Sequence, residues 1–148
     1  MRGRSLLTWS LLLALAVVPH AVEAGKKDEP DVVVVQHILI GLKKSIPGKK
    51  LERTKSEARA LAEELLERAR SGEEEFDALV EEYTDDRHPG IYKLTNDEAP
   101  RMAGARMRRE MVPGFGDVAF GLQVGEVGLA AYSAGMSPYG WHVIRRLE

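Results

Sequence analysis

Two hydrophobic periods alternate along this chain, and they divide it into strands and helices. Residues 32–42 open with four consecutive valines and continue through Ile38, Leu39 and Ile40, a β-branched run bounded by Pro30 and Gly41 that predicts a strand. Both of its faces are apolar, which places it at the centre of a sheet. Ala58, Leu61, Ala62, Leu65, Leu66 and Ala69 then recur at helical spacing. Thr54, with Glu57 three residues on, forms a capping box that starts this helix, and Ser71-Gly72 ends it.

A second, shorter helix is predicted over 74–83, with Phe76, Leu79, Val80 and Tyr83 inward and the acids Glu73 to Glu75 favouring its positive end. YTDDRHPG (83–90) breaks the period and reads as a loop. A short strand is expected over 91–94. The polar segment 95–110, rich in Met and Arg, has no clear pattern. VPGFGDVAFGL (112–122) predicts a helix with Pro113 in its first turn, presenting Phe115, Val118, Ala119 and Leu122. After a turn at Gly125-Glu126, strands are expected over 127–132 and 140–147, joined by the loop 133–139. One early strand, central helices and a closing strand pair give an α+β class, with helices flanking a mainly antiparallel sheet.

The first 24 residues carry a different signal. Arg2 and Arg4 precede an apolar stretch, 6–18, and Val22-Glu23-Ala24 offers small residues where a signal peptidase reads. The stretch is short of the roughly 20 apolar residues of a spanning helix. We therefore expect a secretory signal over 1–24, a disordered lead-in over 25–30, a folded domain over 31–148, and a periplasmic or extracellular destination, with no stable membrane span. The chain has no cysteine, so neither a lipid-anchored thiol nor a disulfide framework is available. Cleavage removes Arg2, Arg4 and Glu23 from the 21 basic and 23 acidic residues, leaving 19 against 22, a charge of −3. That balance disfavours nucleic acid as a partner.

His37 is the anomaly in the first strand, and His142, inside GWHVI, is its counterpart in the last. If those strands are neighbours, the two imidazoles meet across the pair. Taken singly, each reads as a core histidine with a satisfied partner. Asp86 reads as a loop or cap carboxylate, and on spacing alone Met111 and Phe115 read as core. A metal site from Asp85, Asp86 and His88 lacks any recognised ligand spacing, and the glycines near 121–125 do not make a dinucleotide fingerprint.

QHILI (36–40), the helical stretch with its following YTDD (53–86), MVPGFGDVAFGLQVGEV (111–127) and SPYGWHVIRRLE (137–148) stand in an order that resembles the parvulin family of peptidyl-prolyl cis/trans isomerases. The resemblance covers nearly all of the chain beyond residue 30. It implies a four-stranded antiparallel sheet wrapped by helices, with two histidines on neighbouring central strands behind a proline pocket. It further implies catalytic roles for His37, Asp86, His142 and Ser137, as a polar network in which every member has a partner. Met111 and Phe115 become floor and wall of the pocket. A third wall, a leucine in the family's Gly-Asp-Leu-Gly motif, falls on Tyr92 in Gly90-Ile91-Tyr92-Lys93-Leu94, so Tyr92 and Leu94 are taken as substrate-binding.

The activity so implied is rotation of X-Pro bonds in unfolded or flexible exported polypeptides, by a noncovalent twisted-amide route that assists folding. It needs no cofactor and no metal, and we expect a monomer. The alternative is a binding module or holdase that uses the same groove without isomerisation. Lys43, Lys44, Lys49, Lys50 and Arg53 surround a loop where phosphate-selective members are basic. Lysine lacks arginine's bidentate fork, so selectivity for phosphate is not expected.

Overall fold

The computed structural model describes residues 29–148; the expected signal over 1–24, and residues 25–28 of the lead-in, lie outside them. Five strands form one sheet in the order β3-β2-β1-β5-β4. They are β1 (Val32–Ile40), β2 (Ile91–Thr95), β3 (Arg106–Met107), β4 (Val127–Ala130) and β5 (Trp141–Arg146). The helices are α1 (Lys55–Ser71), α2 (Phe76–Tyr83) and α3 (Pro113–Gly121). β1 is central, as its doubly apolar pattern requires. β1 pairs antiparallel with β2 and β5, and β5 with β4.

The expected count of four strands is one short. The fifth is the two-residue β3, which pairs parallel to the outer edge of β2. It has no periodic signature because two residues are too few to carry one, and only Met107 of the pair is buried. The segment 96–110 is held by charge instead of by a core. Asp97 accepts from the Arg109 backbone at 3.0 Å, Glu110 accepts from the Met107 backbone at 2.8 Å, and Arg101 pairs with Glu110. Arg108 joins this segment to Glu29 and to Asp117 of α3. Glu29 and Pro30 thus make contacts with the fold, and Asn96 also donates to both.

α1 matches its local signals: Thr54 and Glu57 complete the capping box and Gly72 closes the helix at φ 70°. α2 is shorter than expected because the acids before it stay outside; Glu74 is drawn into a pair with Arg68 at 2.7 Å. Strand alternation divides the core between the two faces of the sheet. Ile38, Ile40, Trp141 and Val143 pack beneath α1 and α2 with Leu65, Phe76 and Leu79. Val33, Val35, Leu94 and Ile144 pack on the opposite face under Phe115, Ala119 and Phe120 of α3. α3 covers only part of that second face, and beside it Leu39 and His142 line a cleft.

Candidate active site

Alternation along β1 sends Val33, Val35, His37 and Leu39 to the α3 side of the sheet. In the β1–β5 register Leu39 is opposite His142 and His37 is opposite Ile144, so the two histidines lie on one face as a diagonal pair. Their rings stack at 5.4 Å between centroids and 21° between planes, with Nδ1 to Nδ1 at 3.2 Å. The Phe115 ring meets both edge-on, at 5.1 and 5.4 Å. Gly140 permits this arrangement. Its φ of 150° and its approach to β1, where an added Cβ would lie 2.2 Å from the Ile40 carbonyl oxygen, exclude any side chain.

Asp86 reaches His37 because the chain after α2 runs beside β1. Asp85 N donates to the Leu39 carbonyl at 2.7 Å, and the Thr84 hydroxyl accepts from Leu39 N and Asp86 N. Asp86 Oδ2 then lies 3.1 Å from His37 Nε2. The Tyr92 hydroxyl donates to the same oxygen at 3.1 Å. Gly90, in the left-handed region at φ 63°, closes this loop against β1, where its carbonyl accepts from His37 N.

The electrostatics set the direction of the row. The hydrogen bond from His37 and its electrostatic attraction, with smaller contributions from the Tyr92 hydroxyl and the Arg87 backbone, outweigh desolvation and hold the Asp86 carboxyl at about 2. Burial, assisted by the neighbouring His37, lowers His142 to about 3, so its ring is neutral at ordinary pH. Burial and then the Asp86 charge raise the Tyr92 phenol, keeping it a donor. With Asp86 ionised, His37 Nε2 carries hydrogen and donates. In neutral His37 the bare Nδ1 accepts, so His142 Nδ1 donates to it and His142 Nε2 is an acceptor.

The row ends there. His142 Nε2 and the Ser137 hydroxyl are both buried without a hydrogen-bond partner among the described residues. The expected network with every member partnered is thus corrected. Ser137 spends its backbone on Ser133, and its Oγ is pressed against the start of α3, 2.6 Å from where a Cβ on Gly114 would stand. It is close in sequence to His142 but not bonded to it.

A cleft of about 390 Å³ opens over these groups. Met111, Val112, Phe115, Tyr92, Leu39, Ile46 and Tyr139 give it apolar walls, while Asp86, His142, Arg106 and Glu110 supply its polar groups. Met111 precedes α3, with Val112 as the capping residue, and Phe115 projects from the first turn. Both line the cleft, and Phe115 is also core. Leu94 does not line it, which corrects the expectation. It shares a face with Tyr92, but its register partner is Val33, two residues further from His37, and it is fully buried in the core on that face.

Sequence reasoning missed Leu39, Ile46, Tyr139, Arg106, Glu110 and Val112. Leu39 was accessible from parity, two residues after His37; the others come from loops and the unpatterned segment. Asp85, Asp86 and His88 go to three different partners, Arg53, His37 and Asp77. Among the described residues no group of three or more His, Asp or Glu side chains is placed to hold a metal ion. Arg53 is committed to Asp85 and the Gly41 carbonyl, Lys43 to Glu52, and Lys49 to the Asp85 carbonyl.

The fold is similar to the solution structure of TbPIN1, with a TM-score of 0.59 at 18% identity over 80% of this chain and 98% of that one. No curated protein gives a match. The model of the rotamase family, described as the PPIC-type PPIase domain, matches residues 37–148, from His37 to the last residue. The chain belongs to that family and is a parvulin-type peptidyl-prolyl cis/trans isomerase.

Proposed function

We propose that this isomerase acts on X-Pro bonds of exported polypeptides, by a noncovalent route in which the Asp86–His37–His142 row favours the twisted amide and so assists folding. The observation that carries the reading is the continuity of that row with the apolar cleft, through Phe115, whose ring touches both imidazoles.

A prolyl bond rotates over a barrier of about 18–20 kcal/mol because amide resonance is lost as the C–N bond twists. No bond breaks, so catalysis reduces to holding the ring while the carbonyl turns and to meeting the changed charge distribution of the twisted form. Met111 and Phe115 suit the first task, an adaptable thioether beside a flat ring. The row suits the second. Its dipoles are held by fixed hydrogen bonds and need no reorganisation during rotation.

A nucleophilic step has little support. The chain has no thiol, and a carboxylate held near 2 that already accepts two hydrogen bonds is a weak nucleophile. Export rests on the signal pattern over 1–24. The same cleft could hold an unfolded segment without turning it over, and the exchange rate separates the two cases.

Asp86→Ala should lower catalysed cis/trans exchange in a panel of X-Pro peptides by at least about tenfold, with the folded state retained by circular dichroism. Full activity in that variant would remove Asp86 from the mechanism.

A further inference from the structure

Tyr92 stands where the resembling family has an apolar leucine, and its hydroxyl gives this site a hydrogen bond that a leucine cannot make. Three groups fix its ring. The His37 ring lies 5.4 Å away at 60°, Phe115 meets it edge-on at 6.1 Å, and the Arg106 guanidinium lies over it at 5.5 Å. With the ring so held, the phenol oxygen is aimed at Asp86 Oδ2, the atom that also receives His37.

Asp86 needs that second donor. It sits on a loop, its side chain is about one third exposed, and among the described residues it is held, besides Tyr92, by His37 and by the adjoining Arg87 backbone. A carboxylate tied to the sheet by one hydrogen bond, with its other donor on its own loop, can still turn about its Cα–Cβ and Cβ–Cγ bonds. Two donors from different strands, β1 and β2, converging on one oxygen leave it one orientation. That orientation in turn selects the His37 tautomer and ring plane, and through Nδ1 the orientation of His142. We propose that Tyr92 is a positioning residue for isomerisation: its hydroxyl orients Asp86, and its ring serves as the cleft wall that a leucine provides elsewhere. Wall and clamp are thus combined in one side chain. This inference rests on the role proposed above for Asp86.

The test is a double-mutant cycle on prolyl-peptide exchange. Tyr92→Phe keeps the ring and its contacts and removes only the O–H. It should lower kcat roughly five- to tenfold while KM stays within about twofold, because the wall is intact and the orienting bond is gone. In the Asp86→Ala background the same substitution should change kcat by less than about twofold, since its target is absent. Thermal unfolding of each variant confirms a folded state, and Tyr92→Leu supplies a second variant lacking the hydroxyl should Tyr92→Phe fold poorly. Unchanged kcat in Tyr92→Phe, with Asp86→Ala impaired, overturns the clamp and leaves the role of Asp86 standing. An equal loss from Tyr92→Phe in both backgrounds shows that the hydroxyl acts other than through Asp86 and also overturns it. Full activity of Asp86→Ala overturns both readings together.

Discussion

The two faces of the sheet are built from the same strands, yet they solve different problems. Under α1 and α2, Ile38, Ile40, Trp141 and Val143 meet only apolar partners, and the one polar residue that β1 turns that way, Gln36, is bonded to Asp77 and to the Pro89 carbonyl. That face packs as a core does, and among the described residues its buried side chain left without a partner is Thr95, opposite Val32 at the far end of β1. The other face starts the same way, with Val33, Val35 and Ile144 beneath α3, and then changes character at His37. There the helix stops covering the sheet, and buried polar atoms such as His142 Nε2 and Ser137 Oγ are left without partners. Such groups cost stability, and they are tolerated where the surrounding packing holds them. The difference shows that the site is an interruption of a core and not an addition to its surface.

The comparison predicts where stability and activity separate. Phe115 belongs to both regions, as a fully buried side chain and as a wall against both imidazoles. Phe115→Ala should cost about 3–5 kcal/mol of stability and also abolish proline-peptide exchange in the fraction still folded. Leu65→Ala, on the purely structural face, should cost about 2–5 kcal/mol by denaturant unfolding and leave kcat per folded molecule unchanged. Loss of kcat in Leu65→Ala would break the separation.

Acid should distinguish the faces next. The His142 ring titrates near 3 in the fold against 6.5 as a free side chain, so below pH 6.5 the unfolded chain takes up a proton that the folded chain refuses. This group's contribution is intact above pH 6.5 and is lost progressively as pH falls from 6.5 towards 3. Asp86, held at about 2 against 3.8, adds a contribution that is complete above 3.8 and fades as pH falls towards 2. The slope of unfolding free energy against pH between 6.5 and 4 should therefore be shallower in His142→Leu. In Leu65→Ala the whole curve should drop without changing slope. An unchanged slope in His142→Leu would show that this ring is not what charges on unfolding.

The smallest effect lies furthest from the cleft. Thr54→Ala removes one half of the capping box, in which Glu57 N donates to the threonine hydroxyl at 3.2 Å. It should cost about 1 kcal/mol by denaturant unfolding with kcat untouched.

Local physics was readable in the chain itself. The helical recurrence from Ala58 to Ala69, the Thr54/Glu57 box, Pro113 opening α3, and the alternation that sends His37 out of step with Ile38 and Ile40 all depend on residues within a turn or two of one another. So did the inference that two histidines in two strands could meet, since strand parity sets which face each occupies. What required the tertiary structure was everything that depends on register between distant segments. A two-residue strand has no period to read, and Leu94 shares the parity of Tyr92 yet sits two residues further under α3. Ser137 lies only five residues from His142, but its hydroxyl is turned against Gly114. The hydroxyl of Tyr92 and the carboxylate of Asp86 come from a strand and from the loop before it, and their meeting was decided by how that loop closes on β1 at Gly90. Sequence periodicity reports which side of an element faces the core; how far along a neighbour each side chain falls is settled only when the elements pack together.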